Sequence, residues 1–247
     1  MTDLHCHSLC SVDDGARNVE QMQKMLDIAY DDGIRVICFT PHFKMHHFSS
    51  DDEIRLYNEK IKESFSLACE YAKEKYPDML LWLGNEIMHH HDMYDSIAEG
   101  KCSRLGNSSY VLIEFVPSTP FFEIRSALSN LMRKGMRPVL AHAERYEELA
   151  KSLERVAELK ELGVLIQVNA SSITKLKHGK SARFIKRLFK ASYVDLIATD
   201  AHDASEFKPV MSEAVALIEK KYGASVAKRV SRDVPNSILE NKKFTKE

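Results

Sequence analysis

The sequence predicts an α/β barrel in which about seven βα units curl a parallel sheet. Short apolar, β-like runs alternate with longer helix-like stretches along nearly the whole chain. Parallel strands need crossover connections, and helices supply them, so this alternation implies a parallel sheet. At 247 residues the chain has the length of a single α/β barrel domain. A doubly wound open sheet is the alternative architecture. With no Gly/Ser/Pro linker, low-complexity tract or internal repeat, residues 1–247 read as one domain.

Thr2–Cys6 is the first strand, and His5 and His7 fall two residues apart, hence on one side of it. Val19–Asp32 follows as a helix, with Asn18 as N-cap, Gln21 as its capping-box partner and Gly33 as a C-terminal cap. Arg35–Thr40 is a strand ending in Thr40-Pro41-His42, and Asp52–Lys75 a long helix. Met79–Gly84 is a strand closed by Gly84-Asn85-Glu86, and Tyr110–Glu114 another that runs into Phe115. Phe122–Lys134 is helical, with Gly135 behind it. Strand Pro138–Ala141 leads into His142-Ala143-Glu144-Arg145, and helix Leu149–Leu162 into Gly163. Leu165–Val168 is a strand ending at Asn169, followed by helix Ala182–Lys190. Strand Val194–Thr199 runs into Asp200-Ala201-His202, and helix Pro209–Lys221 precedes Gly223.

Composition excludes several classes. Hydrophobic residues make up 44% and charged residues 29% of the chain, as in ordinary globular proteins. A net charge of −1 and the lack of a basic stripe argue against nucleic acid as partner. No apolar run approaches the ~20 residues that span a bilayer, and no signal peptide is evident, so the expected location is the cytoplasm, without membrane insertion. Five cysteines, an odd number without paired spacing, argue against a disulfide framework. Cys38 reads as core packing, and Cys6, alternating with His5 and His7, should face away from them.

The strong signal is where the ionisable residues fall. In parallel α/β folds the C-terminal strand ends gather on one rim, where active sites are built. His5, His7, His42, Glu86, Glu114, His142, Asp200 and His202 all lie at such ends, and Asp13 and Asp14 in the loop after the first. So many imidazoles and carboxylates exceed what one ion needs, and two or three ions sharing carboxylates fit better. Nitrogen and oxygen donors without thiolate suit manganese, iron, cobalt or zinc. Adjacent divalent ions generate hydroxide at neutral pH and stabilise an in-line phosphoryl displacement, and Arg145 could clamp phosphate oxygens.

In order, D-x-H-x-H, VDDG, TPH, GNEI, LIEF, AHAERY and ATDAH resemble the PHP (polymerase and histidinol phosphatase) superfamily. VDDG, LIEF and HxERY favour its bacterial protein-tyrosine phosphatases of capsule and exopolysaccharide operons, the CpsB/CapC/YwqE group. The resemblance, from Thr2 to about Tyr222, implies a distorted TIM-like barrel with three divalent metals, manganese foremost, at the strand C-termini. It implies His5, His7, Glu86 and Asp200 on the first metal. Glu86 would bridge to a second metal held also by Glu114 and His142, and Asp14, His42 and His202 would hold a third. Arg145 matches the phosphate-binding arginine. The family's second arginine is absent, and Lys208 would stand in for it without bidentate geometry. The substrate implied is phosphotyrosine on a bacterial tyrosine autokinase that controls polysaccharide export.

Other residues read more plainly. Asp13 could equally cap the turn before Gly15, and the resemblance favours Asp14 as the metal candidate. His46, His47 and His89 to His91 read as solvated or rim residues. Arg17 reads as an exposed charge at a helix start before a phosphate contact from the first loop, and Lys175, Lys177 and Lys180 as a solvated basic loop before a surface for an acidic phosphopeptide. Glu144 and Arg145 could form surface ion pairs, and Asn169 could bind a ligand or cap its strand. Competing functions are a small-molecule phosphatase such as histidinol-phosphate phosphatase, and a degenerate barrel that only binds. A cysteine phosphatase would need C-x₅-R, and Cys10 precedes Arg17 by one residue too many. Oligomer formation is compatible with all of these readings.

Overall fold

A computed structural model describes residues 1–175 and 179–242. Strand β1 (Thr2–Cys6) leads to helix α1 (Val19–Asp31), β2 (Val36–Phe39), the two-residue β3 (His42–Phe43) and the long α2 (Asp51–Lys75). Next come β4 (Leu80–Leu83), β5 (Glu86–Met88), α3 (Met93–Ala98), β6 (Tyr110–Glu114), α4 (Phe121–Arg133) and β7 (Arg137–Leu140). The chain continues with α5 (Glu147–Lys151), α6 (Leu153–Leu162), β8 (Leu165–Asn169), α7 (Ala170–Lys175) and α8 (Lys180–Lys190). It ends with β9 (Leu196–Ala198), α9 (Ser212–Tyr222), α10 (Ala224–Lys228) and α11 (Val234–Leu239).

Every ladder between these strands is parallel, as the alternation requires. One runs β1-β2-β4 and the other β3-β5-β6-β7-β8-β9. They are parts of one curled sheet. Only Thr40-Pro41 separates β2 from β3, and only Gly84-Asn85 separates β4 from β5. The sequence reads β2 and β4 correctly but not their short continuations. Proline cannot donate to a ladder, so pairing stops at Pro41 and resumes at His42. At Gly84 a Cβ would meet Leu105 Cδ2 at 3.1 Å and Arg104 O at 3.2 Å, which explains glycine where the strand bends. At the far edge, Cys6 bridges Ala201 in parallel, and the Asp200 N–H donates to His5 O at 2.8 Å.

Alternation along each strand divides the core. Ile37, Val111, Ile113, Leu140, Ile166 and Ile197 face outward and pack under the helices with Met25, Leu26, Leu128 and Leu159. The opposite parity, Leu4, Cys38, Leu112, Val139, Leu165 and Leu196, forms a smaller apolar cluster inside the curl. Val234 and Ile238 of α11 close that cluster from below, and Thr2 Oγ1 donates to Asn236 Oδ1 at 2.6 Å. This C-terminal helical segment, with a π-helical turn at Arg229–Asp233, goes unread in the sequence because its charges mask its short apolar face.

One expected helix is in fact two. The stretch Leu149–Leu162 breaks at Ser152, whose backbone is extended (φ −143°, ψ 125°), into α5 and α6. The α1 start is as read: Asn18 Oδ1 accepts from Gln21 N at 2.9 Å, and Gln21 Oε1 reaches back to Arg17 N at 3.0 Å. Among the described residues, no helix is long and apolar enough to cross a membrane.

Candidate metal centre

Inward-facing rows that are apolar at the bottom of the curl turn polar toward the C-terminal strand ends. Leu112 is succeeded by Glu114, Leu165 by Gln167 and Asn169, and Leu196 by Ala198 and Asp200, each two residues on. β1 reaches the same interior through a bulge. Asp3 pairs with Ile37 but Cys6 with Phe39, so β1 fits one extra residue against β2. The bulge lets both Leu4 and His5 face inward, while Cys6 packs in the outer core as expected. His142 (φ 32°) and Asp200 (φ 52°) leave their strands in the left-handed region, a costly conformation for residues with a Cβ.

His5, His7, Glu86 and Asp200 present one donor atom each within 4.8 Å of one another, and all four are buried. His5 Nε2 lies 3.2 Å from His7 Nε2, from Glu86 Oε2 and from Asp200 Oδ1. Glu86 is the hub. It also meets His42 Nδ1 at 3.0 Å and His142 Nε2 at 2.8 Å. His42, Glu86 and Glu114 form a second group, and His7, Asp14, His42 and His202 a third at the solvent side. His142 stands 3.8 Å from Glu114 Oε2. The rim therefore gathers all nine residues expected as ligands, with His7, His42 and Glu86 each shared between two groups.

Electrostatics favour positive charge here. Burial alone would lower His5 and His7, but Glu86 and Asp200 beside His5, and Asp13 and Glu86 beside His7, outweigh it and raise both. His42 is raised to about 9 despite burial, by Glu114 and Glu86. Burial likewise opposes ionisation of the carboxyls, yet the imidazoles hold Glu86 well below the usual carboxylate range, and His5, His7 and Arg145 help hold Asp200 at about 2. Divalent cations fit such a donor set, because they displace the imidazole protons and leave the carboxylates ionised. Buried polar atoms point the same way. Among the described residues, His42 Nδ1 and Glu114 Oε1 lie 3.1 Å apart and neither has a hydrogen-bond partner.

The site opens through a cleft of about 400 Å³, lined among others by Asp14, Arg17, Arg145, His202 and Phe207. Arg145 is not a free surface ion: its Nη2 donates to Asp200 Oδ2 at 2.7 Å while the guanidinium stays about half exposed. A larger cavity, about 760 Å³ between α7, α8 and α9, contains none of the expected site residues.

A family model described as capsular polysaccharide synthesis, CpsB/CapC, matches residues 1–240. The chain belongs to the CpsB/CapC family. The tyrosine-protein phosphatase CpsB of Streptococcus pneumoniae is 34% identical over 244 residues, covering 97% of this chain and 98% of the relative. The tyrosine-protein phosphatase YwqE of Bacillus subtilis is 28% identical over 246 residues, covering 98% of this chain and 89% of the relative. In fold, the chain matches a crystal structure from work on YwqE and CpsB, described as unique metal-dependent tyrosine phosphatases, with a TM-score of 0.87 at 24% identity, covering 100% and 97% of the two chains.

In this CpsB/CapC chain several residues stand where sequence reasoning did not put them. Asp13 caps Gly15 N at 3.1 Å as expected of a turn residue, but its other oxygen also meets His7 Nδ1 at 2.8 Å and His42 N at 3.0 Å. It is thus the carboxylate behind a candidate ligand, an arrangement common at metal sites. Lys208 is exposed and lines a neighbouring pocket with Lys175 and Glu206. Arg17 lines the cleft together with Arg145, in keeping with the less favoured of its two readings, an approach to the site from the first loop. Gln167, wholly buried beneath the site, carried no motif that marks it. Asn169 donates to Asp200 Oδ2 at 2.7 Å. Glu144 is buried and accepts from Asn169 N at 3.1 Å, not a surface ion pair. His89 stacks on Phe115 at 4.8 Å, and His90, His91 and Asp92 form a partly exposed local group. Lys177 lies outside the described residues.

Proposed function

We propose that this chain is a metal-dependent protein-tyrosine phosphatase, with divalent cations at the C-terminal ends of a distorted barrel of about seven βα units. The observation that carries the reading is the buried quartet His5, His7, Glu86 and Asp200 in a chain related over its full length to CpsB. His5, His7, Glu86 and Asp200 would hold one cation. Glu86, Glu114 and His142 would hold a second, and Asp14, His42 and His202 a third. Their nitrogen and oxygen donors suit manganese first, with iron, zinc or cobalt as alternatives. When bound, such cations supply Lewis-acid activation of water and neutralise charge at the phosphoryl group.

The chain's own groups do the rest. Arg145, tethered by Asp200, offers its remaining N–H groups to non-bridging phosphate oxygens at the mouth of the cleft. Arg17, which lines the same cleft, adds a second positive charge; Lys208 lines the neighbouring pocket and would act only as a point charge. A tyrosyl leaving group, with a phenol pKa near 10, needs less proton donation than an alkyl alcohol. The polysaccharide-synthesis description of the family supports a tyrosine-phosphorylated kinase of capsule or exopolysaccharide assembly as the protein substrate.

Metal analysis combined with turnover of a phosphotyrosyl peptide and of histidinol phosphate tests this reading, on wild type and His5→Ala. Bound metal and peptide preference in the wild type, both lost in H5A, are expected. Preference for histidinol phosphate overturns the substrate assignment, and a metal-free, inactive wild type overturns the reading altogether.

A further inference from the structure

With β2–β3 and β4–β5 each taken as one interrupted strand, β8 is, among the described residues, the one strand whose end carries no imidazole or carboxylate of the expected ligands, yet its last two inward residues are both amides and both buried: Gln167 at 0% and Asn169 at 1% exposure. An amide pair in an apolar curl is costly unless every donor and acceptor is used. Here the two side chains link three elements of the site.

The direction of that link is set from both ends. The backbone N–H of His142 can only donate, and it meets Gln167 Oε1 at 2.7 Å. The Asp200 carboxylate can only accept, and its Oδ2 faces Asn169 Nδ2 at 2.7 Å. Between them Gln167 Nε2 donates to Asn169 Oδ1 at 2.6 Å. Flipping either amide would set donor against donor or oxygen against oxygen. With Oε1 thus fixed as an acceptor, His5 Nδ1, 3.1 Å away, must carry the hydrogen. His5 Nε2 is then the nitrogen with a free lone pair, and it points at Glu86 Oε2 and Asp200 Oδ1.

We infer that Gln167 and Asn169 are positioning residues for the metal centre. Through a one-way hydrogen-bond chain they hold His5 as its Nδ1–H tautomer and anchor Oδ2 of Asp200, leaving His5 Nε2 and Asp200 Oδ1 to face a divalent cation. The inference rests on the metal-dependent reading above. It explains why β8 contributes no ligand: its task is to orient ligands from β1 and from the end of β9. Asp13 plays the corresponding part for His7 from the first loop.

The test uses the full chain and Zn²⁺ as a diamagnetic probe. Zn²⁺ affinity is measured by chelator competition, and the protonated ring nitrogen of His5 by long-range ¹H–¹⁵N correlation at a pH where the ring is neutral. In wild type, His5 should carry its hydrogen on Nδ1, with and without Zn²⁺. Gln167→Met removes the acceptor; it should mix the two His5 tautomers and weaken Zn²⁺ binding about 10–100-fold. Gln167→Glu keeps the acceptor for His5 and His142 but cannot donate to Asn169. It should retain the tautomer and still lose affinity, through Asp200. If Q167M does not fold, Q167E and Asn169→Asp carry the test. Wild-type His5 protonated on Nε2, or affinities within twofold of wild type in all variants that fold, would overturn the inference. Intact Zn²⁺ binding without phosphotyrosine turnover in the wild type would instead overturn the proposed activity and leave the positioning role standing.

Discussion

Arg145 and Asp200, 55 positions apart, meet at 2.7 Å through Nη2 and Oδ2. The oxygen that Arg145 takes is the one also held by Asn169, while Oδ1 of the same carboxylate lies 3.2 Å from His5 Nε2. One carboxylate thus joins the buried cluster to the arginine that looks into the cleft, and fixes where that guanidinium stands.

Arg145 should therefore matter for turnover more than for metal content. Arg145→Ala is expected to keep the wild-type metal stoichiometry and lose about 10²–10³ in kcat/KM on a phosphotyrosyl peptide. Arg145→Lys should fall between the two, because lysine keeps the charge but not the fork. Steady-state kinetics beside metal analysis checks this, and wild-type turnover in R145A would remove Arg145 from the phosphate site.

Gly15 should tolerate no side chain. A Cβ there would stand 1.7 Å from the backbone oxygen of His7, which already accepts from Ala16 N at 3.2 Å. Gly15→Ala must push away the loop that carries Asp13 and Asp14. We expect a stability loss of about 1–3 kcal/mol and at least a tenfold fall in activity. Thermal melts and metal titration of G15A would show whether the loop is as constrained as this contact requires.

Chelation, not thiol chemistry, should inactivate the protein. Cys6, Cys10, Cys38 and Cys102 are buried. Burial pushes the Cys38 and Cys102 thiols up to about 12 and raises Cys6 and Cys69, so none of these four is a ready nucleophile. Alkylation of the native protein is expected to leave activity intact, whereas a divalent-metal chelator abolishes it. Inactivation by alkylation alone would point to a different mechanism.

Away from the site, Asp27 joins α1 to α2. Its Oδ1 accepts from Tyr71 at 2.7 Å and from Lys75 and Tyr76 at 2.8 Å each. Burial would raise this carboxyl, but the three hydrogen bonds outweigh it and hold its pKa below the ordinary value. A depressed folded-state pKa adds stability above the unfolded value, near 3.9, and loses it as pH falls through the folded one. Asp27→Asn should cost roughly 1 kcal/mol near neutral pH, with the difference from wild type vanishing in acid. Denaturant unfolding at pH 7 and below pH 3 measures it, and an equal deficit at both would assign the effect to packing.

Much of this architecture is legible in the chain because the signals are local. Short β-like runs mark β1, β6 and β8, and Asn18 with Gln21 marks the start of α1. The candidate ligands of the rim are legible too, since a histidine or carboxylate directly after an apolar run is conspicuous. Less visible are features whose cause lies elsewhere in the chain. Pro41 and Gly84 interrupt strands that resume two residues later because the neighbouring ladder is already in place. Gln167 looks like an ordinary polar residue until His142 and Asn169 are beside it, and Asp13 cannot be told from a turn cap until His7 is beside it.

The sequence by itself determined an α/β chain with parallel strands, polar strand ends rich in imidazole and carboxylate, and no C-x₅-R spacing for a cysteine nucleophile. These follow from periodicity and punctuation within a few residues. Only the tertiary structure decided which donor atoms meet, that a bulge turns His5 inward beside Leu4, that Arg17 rather than Lys208 lines the cleft, and that Arg145 is tied to Asp200. Those relationships depend on the curl of the sheet, which brings strand ends far apart in the chain to within a hydrogen bond of one another.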